Sequence, residues 1–198
     1  LIENGMEGFE HGKKLHKMGF QGHDTAELSF SDVFVPDANL IGGAEGHGFV
    51  QLMKNLPLER LTIGVAAAAA AQAGLEWTLE YVKTREAFGE RIADFQNTRF
   101  RLADIATTVD VMWAYTDRAI ALYGEGKLTP EEAAKLKFWT TEREWEVLDI
   151  CVQLHGGYGY ITEYPIARAF LDARVHRIYG GTNEIMREIV GRQLAGRK

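Results

Sequence analysis

The stretch Asn97–Tyr123, NTRFRLADIATTVDVMWAYTDRAIALY, decides the fold of this chain. Apolar and small side chains recur in it at spacings of three and four residues, at Leu102, Ile105, Val109, Met112, Thr116, Ile120 and Tyr123. Because an α-helix completes a turn about every 3.6 residues, this spacing brings those side chains to one face. The stretch therefore predicts a long amphipathic helix that packs against other helices.

A second helix follows, and the sequence marks both its start and its end. Thr129-Pro130-Glu131-Glu132 combines a threonine cap, a proline at the first helical position and a glutamate three residues after the cap. One stripe of the helix carries Ala134, Phe138, Thr141, Trp145, Leu148 and Val152. His155-Gly156-Gly157 then ends it, because glycine is favoured just beyond a helix C-cap.

The region before residue 40 has a β-like texture. Ala26–Phe30 alternates between apolar and polar side chains, and Val33–Val35 is a short β-branched and aromatic run. Beyond Gly48 the pattern is helical almost to the end of the chain.

We therefore predict a mainly α fold in two parts. Residues 41–198 form a bundle of about five helices, and residues 1–40 are the end of an incomplete β-domain. The chain opens with Leu1 in the middle of a pattern, so we expect it to be a piece of a longer protein.

Composition narrows the possible functions. The formal charge of −6 without a basic cluster argues against nucleic acid as a partner. The longest apolar run, Leu61–Leu75, is too short to span a bilayer. The single cysteine, Cys151, lies in an apolar helical stretch and is expected to be inert packing. His11 and His16 are five residues apart and no His-Glu-x-x-His is present, so we predict no metal site.

Glu59 is the most unusual residue of the helix predicted to begin beyond Gly48. Glu59 and Arg60 are its only charged residues between Lys54 and Glu76. Glu59 falls inside a helical stripe formed by Phe49, Leu52, Leu56, Ile63, Ala66 and Ala70. A carboxylate in such a stripe should be partly desolvated, which suits it to taking up a proton. The alternative is a structural ion pair with a basic residue of another helix, such as Arg101 or Arg118.

Two glycine-rich segments precede helices. Gly42–Phe49, GGAEGHGF, lacks the third glycine of a dinucleotide fingerprint and the Lys-Ser/Thr of a P-loop, so it is predicted to be a loop. In Ile178–Met186, IYGGTNEIM, Thr182 or Asn183 is a good N-cap, and the glycines before it leave backbone N–H groups accessible to an anion. The alternative is that this second segment is only a cap.

Five segments together resemble the acyl-CoA dehydrogenase family. They are KMGFQGHDTAELSFSDVFVP, LPLERL, YVKTREAFGERIADFQ, VQLHGGYGYITEYPIARAFLDARV and IYGGTNEIM, which run in the family's order and cover nearly the whole chain. The resemblance implies the end of a β-barrel-like middle domain over residues 1–40 and the C-terminal α-helical domain over residues 41–198. It also implies α,β-dehydrogenation of acyl-CoA thioesters with FAD as the cofactor, as in fatty-acid β-oxidation.

The resemblance also identifies a candidate catalytic base. In many family members a glutamate stands immediately before the Gly-Thr of the last motif and removes the α-proton. Gly180 occupies that position here. The long-chain and isovaleryl branches instead carry the base in a segment like LPLER, where Glu59 matches. Gly180 would then make room for the Glu59 carboxylate.

The remaining site residues are implied by the same motifs. Gly180 and Gly181 would line the acyl thioester, the Glu184 N–H would donate to the thioester oxygen, and Arg60 would reach the adenine-nucleotide end of CoA. Thr182 and Glu184 would approach the FAD of the same subunit. The FAD of a neighbouring subunit would be held by Arg85, Phe88, Gln96, Gln153, Gly156 and Gly157. Taken alone, Arg85 would be a cation at a helix end and Gln153 part of a solvated helix face.

The resemblance implies a homo-oligomer, commonly a tetramer, that passes electrons to an electron-transferring flavoprotein. A bacterial cytoplasm is preferred over a mitochondrial matrix as its location. Two alternatives stay open: a non-catalytic helical oligomerisation module, and an acyl-CoA oxidase that uses oxygen.

Overall fold

The computed structural model describes residues 1–196 and is mainly helical, as predicted. Its helices are α1 (Gly48–Thr84), α2 (Gln96–Gly124), α3 (Pro130–His155), α4 (Pro165–Ala173) and α5 (Asn183–Leu194). Its strands are β1 (Phe9–Lys14), β2 (Ala26–Phe30), β3 (Glu86–Ala87) and β4 (Glu90–Arg91). The prediction of five helices behind a short β-segment is confirmed.

By its contacts the chain divides into two compact units, residues 1–55 and the residues from 56 onward. In the first unit, β1 and β2 form an antiparallel hairpin in which Phe9 faces Phe30. The two rings stack with their centroids 5.1 Å apart. The prediction of a strand at Val33–Val35 is wrong, because this segment pairs with no other strand within residues 1–196.

In the second unit, α3 is the central helix. Contacts with α2, α4 and α5 surround it, and buried residues therefore lie on several of its faces. The core joins small and branched side chains of these helices with α1: Ala67, Ala68, Ala71, Ile105, Val109, Met112, Val147, Leu148, Cys151, Ile166 and Ala173. The predicted stripe of α2 is confirmed at Ile105, Val109, Met112 and Thr116, all of which are buried.

The buried stripe of α1 is not the predicted one. It runs through Arg60, Gly64, Ala67, Ala71, Gly74, Thr78 and Val82. Of the predicted stripe, Ile63 is buried, but Phe49 and Leu52 are 72% and 53% exposed, and Ala66 is exposed as well. The stripe is rotated because Gly64 and Gly74 turn toward α3, where Leu136 and Leu148 pack closely over them.

The helix ends follow the local signals of the sequence. The Thr129 hydroxyl accepts a hydrogen bond from the Glu132 N–H at 3.2 Å, as a capping box requires. Gly156, with φ of 58°, follows the last residue of α3. Thr182, rather than Asn183, is the N-cap of α5. Within residues 1–196 we find no helix with the combination of length and hydropathy that crossing a bilayer requires.

Candidate functional site

The turn before α5 is the centre of the first candidate site. Gly180 and Gly181 both have positive φ, at 65° and 96°, which is the backbone region that glycine enters without strain. Thr182 then caps α5, and its hydroxyl lies 3.5 Å from the Ile185 N–H. We call residues 180–183 the glycine turn.

Two buried cations hold the carbonyl groups of the glycine turn. The Arg60 Nε of α1 donates to the Gly180 carbonyl oxygen at 3.3 Å. The Lys137 Nζ of α3 donates to the Gly181 carbonyl oxygen at 2.8 Å and to the Asn183 Oδ1 at 2.9 Å. The backbone N–H groups of Gly180, Gly181 and Thr182 donate to no acceptor within residues 1–196. The turn therefore offers free donors while its carbonyl groups are engaged.

The helix that carries Glu59 passes directly beside this turn. A β-carbon placed on Gly180 would lie 2.5 Å from the Ile63 Cδ1, so nothing larger than glycine fits without movement. Glu59 precedes Ile63 by four residues and so shares its helix face, one turn earlier. The sequence motifs at Glu59 and Gly180 thus belong to neighbouring segments, although 120 residues separate Arg60 from Gly180.

Two expectations about Glu59 need correction. Its side chain is exposed in this chain, because the buried stripe of α1 passes through Arg60 instead. The desolvation predicted from the apolar stripe is therefore absent from this structure. The alternative of an ion pair with Arg101 or Arg118 is not observed among the described residues either, and Arg101 lies 3.9 Å from Asp104.

Burial dominates the electrostatics of the two cations. It lowers the pKa of Lys137 from 10.5 to about 8, and the neighbouring charge of Arg60 lowers it further. Burial also lowers the pKa of Arg60. Glu184 differs, because its carboxylate lies against its own backbone N–H and the Thr182 hydroxyl, which hold its pKa below the usual range.

Further polar groups, which the sequence analysis missed, support the glycine turn. Glu142 accepts from the Asn183 side-chain amide at 3.0 Å and pairs with Arg177 at 2.9 Å and Arg187 at 3.2 Å. His176 and Glu144 form a separate buried pair, in which the His176 Nδ1 lies 2.8 Å from the Glu144 Oε2. Burial raises the Glu144 pKa, and its contact with His176 opposes that rise. These groups fix the segment that leads into the turn.

A second candidate site is a cavity of about 980 Å³ at the far end of α1 and α3. Five of the six residues predicted to hold the FAD of a neighbouring subunit line it: Arg85, Phe88, Gln153, Gly156 and Gly157. The sixth, Gln96, does not line it, although its neighbours Phe95 and Asn97 do. Arg85 and Gln153 therefore face one cavity rather than opposite sides of the unit.

The wall of this cavity is aromatic. The Arg85 guanidinium lies 5.2 Å from the centre of the Tyr158 ring. Tyr81 stacks on His155 at 4.3 Å, and its hydroxyl donates to the His155 carbonyl oxygen at 3.1 Å. Phe88, at the tip of the β3–β4 hairpin, is 98% exposed and has a positive φ of 56°. Positive φ is uncommon for a bulky side chain such as that of Phe88.

The chain is similar to known proteins over almost its whole length. Residues 46–195 match the family model of the acyl-CoA dehydrogenase C-terminal domain. The long-chain specific acyl-CoA dehydrogenase of mouse mitochondria is 48% identical over 98% of this chain, which covers 45% of that protein. The chain thus spans about half the length of the curated relatives it matches.

Solved structures agree with this match. An acyl-CoA dehydrogenase from Geobacillus kaustophilus is 46% identical with a TM-score of 0.94, over 98% of this chain and 50% of that one. An acyl-CoA dehydrogenase complexed with FAD from Bacillus anthracis is 28% identical with a TM-score of 0.91, over 98% of this chain and 38% of that one. The chain therefore belongs to the acyl-CoA dehydrogenase family and carries that family's C-terminal helical domain.

Proposed function

We propose that the protein carrying this chain is an FAD-dependent acyl-CoA dehydrogenase in which Glu59 takes the α-proton of the thioester. One observation supports this assignment above the others. The turn of α1 that contains Glu59 runs beside Gly180, and Gly180 is the position at which many family members carry their base. The glycine lets α1 approach the turn closely, at Ile63, one helical turn after Glu59.

The acyl thioester would bind at the glycine turn. The α C–H bond of a thioester is too weakly acidic for a carboxylate alone, so the oxygen that gains charge needs hydrogen-bond donors. The free N–H groups of Gly180, Gly181 and Thr182 can supply such donors. We assign this role to them, together with the Glu184 N–H that the sequence motifs imply.

We propose for Arg60 a role different from the contact with CoA that the sequence motifs imply. Its side chain is only 6% exposed, and its Nε donates to the Gly180 carbonyl oxygen. A side chain held there supports the thioester end of the substrate site. We therefore assign Arg60 to the glycine turn and no longer to the adenine-nucleotide end of CoA.

The aromatic cavity fits part of a flavin nucleotide. Its volume of about 980 Å³ lies within the range of cofactor pockets, and it combines ring surfaces with the Arg85 guanidinium. Arg85, Phe88, Gln153, Gly156 and Gly157 would hold the cofactor of a neighbouring subunit, with Gln96 beside them and Thr182 and Glu184 facing the subunit's own FAD. FAD, when bound, would accept the β-hydride. The role of these residues is to bind and orient it.

A shared cofactor requires a homo-oligomer, for which we propose the tetramer common in this family. The exposed Phe88 supports contact with a second subunit, since an aromatic side chain gains stability when a partner covers it. An electron-transferring flavoprotein is the proposed electron acceptor, and acyl-CoA is the proposed substrate.

The substitution Glu59→Gln tests the proposed reaction in the full-length protein with FAD bound. Glutamine keeps size and polarity, so binding of acyl-CoA should change little. Loss of a general base should slow bleaching of the flavin absorbance by acyl-CoA about 10²–10⁴-fold. Glu80→Gln is the matched control, since Glu80 is an exposed glutamate of the same helix. Near-normal bleaching by Glu59→Gln at saturating substrate would show that Glu59 is not the base.

A further inference from the structure

Lys137 is a buried cation with no carboxylate within salt-bridge distance among residues 1–196. Its side chain is 0% exposed. Its two acceptors, the Gly181 carbonyl oxygen and the Asn183 Oδ1, both belong to the glycine turn. The neighbouring Lys135 pairs with Glu132 at 2.8 Å, as a lysine on a helix surface commonly does.

Stability alone does not account for this arrangement. Burying an ammonium group is costly unless a charged partner compensates, whereas an apolar side chain of similar length would fill the same space at no such cost. A second buried cation, Arg60, lies close enough to repel Lys137. Both cations nevertheless donate to consecutive carbonyl groups of one turn, at Gly180 and Gly181.

The geometry of the peptide group shows what these contacts achieve. A trans peptide is planar, so its carbonyl and its N–H point in opposite directions. Arg60 on the Gly180 oxygen fixes the peptide that carries the Gly181 N–H, and Lys137 on the Gly181 oxygen fixes the peptide that carries the Thr182 N–H. Because the ammonium group of Lys137 lies in the interior, the Thr182 N–H points away from the interior. Neither N–H has an acceptor within residues 1–196.

We infer that Lys137 is a positioning residue of the reaction: it holds the glycine turn so that the free N–H groups face the oxygen of the bound thioester. This inference rests on the proposed function. Lys137 touches neither substrate nor cofactor in this role and acts through the turn. Its charge also adds positive potential where the thioester oxygen becomes negative, since buried charges are weakly screened.

The role should depend on pH through the charge of Lys137. The charged groups that face it are Arg60 from α1, Glu142 from α3 itself and Glu184 from α5. Deprotonation leaves the nitrogen a weaker donor and removes the added potential. In the wild-type protein, we therefore expect the rate of flavin bleaching to fall as pH rises through about 8, and this fall is the pH component that belongs to Lys137.

The experiment compares Lys137→Met with Lys135→Met in the full-length protein with FAD bound. Methionine keeps length and removes the charge, and Lys135 is the matched lysine two residues away. We expect Lys137→Met to bleach at least ~10-fold more slowly at saturating acyl-CoA, with substrate affinity nearly unchanged, and to lose the pH component near 8, because the donors to the developing oxyanion are less well positioned. Amide hydrogen exchange in residues 178–186, which needs no turnover, should become faster in Lys137→Met only.

The outcomes separate this inference from the proposed function. A wild-type protein that does not oxidise acyl-CoA would refute the proposed function, while hydrogen exchange would still show whether Lys137 holds the turn. If the wild-type protein is active but Lys137→Met matches Lys135→Met in both bleaching and exchange, Lys137 is not a positioning residue. The wild-type pH profile needs no variant, so a folding defect in Lys137→Met cannot hide the answer. A profile without a component near 8 would also contradict the role of the charge.

Discussion

Gly74 lets α1 approach α3, and replacing it with alanine should destabilise the fold. A β-carbon at this position would lie 2.6 Å from the Leu148 Cδ2 and 3.5 Å from the Ile166 Cδ1. Carbon atoms pack best at roughly 3.5–4.0 Å, so the new methyl group overlaps Leu148 by about 1 Å. Overpacking of this kind costs about 1–3 kcal/mol, and the better helix propensity of alanine returns up to about 1 kcal/mol. We expect a net loss of about 1–2 kcal/mol.

Gly191→Ala is the matched control. Gly191 lies inside α5, and a β-carbon there would meet no heavy atom within 4 Å. With no overlap to oppose the gain in helix propensity, this variant should be more stable than wild type by about 0.5–1 kcal/mol. Urea unfolding followed by circular dichroism measures both variants. If Gly74→Ala is as stable as wild type while Gly191→Ala behaves as expected, α1 and α3 do not approach each other as described.

Three further predictions concern the site, the pH dependence and a helix cap. In a Glu59→Gln background, Gly180→Glu alone should restore little flavin bleaching, because its β-carbon would lie 2.5 Å from the Ile63 Cδ1 and φ at residue 180 is 65°. Adding Ile63→Ala should restore more bleaching, and equal bleaching rates with and without Ile63→Ala would contradict this steric account. The free energy of unfolding should rise between about pH 8 and 10.5, because Lys137 binds a proton more weakly in the folded than in the unfolded chain, and urea titrations of Lys137→Met should lack this rise. Thr129→Ala should lower stability by about 1 kcal/mol in the same assay, and an unchanged midpoint would show that the cap contributes nothing.

Local signals in the sequence predicted most of the helices. The Thr129 cap and the glycine after His155 act through neighbouring backbone groups, so the sequence contains all the information they need. The stripe of α2 was predictable in its middle, where Ile105, Val109, Met112 and Thr116 are buried, but Ile120 and Tyr123 at its end are 43% and 47% exposed.

The orientation of α1 was not predictable from its own residues. Between Leu61 and Leu75 seven of the fifteen residues are alanine, which differs little between its buried and exposed positions. The buried face is decided by side chains of α3, above all Leu136 and Leu148, which pack over glycines of α1. A residue pattern within one helix cannot reveal that contact, so Glu59 was assigned to a buried stripe that Arg60 occupies.

Lys137 was missed because it stands beside Lys135 and resembles part of a solvated face. A signal was nevertheless present. Lys137 shares a helical spacing with Ala133, Thr140 and Glu144, all of which are buried. Two charged residues in a stripe of small side chains indicate buried polar contacts, but their partners, Gly181 and His176, lie far away in sequence.

The buried thiol of Cys151 allows opening of the core to be followed by chemical labelling. Burial raises the pKa of Cys151 to about 11, so the folded chain offers almost no thiolate to an alkylating or disulfide reagent at neutral pH. Unfolding restores an ordinary thiol that such reagents modify readily. The labelling rate of this single cysteine under native conditions therefore reports how often α3 separates from its neighbours. It does so without denaturant, added dyes or an engineered probe.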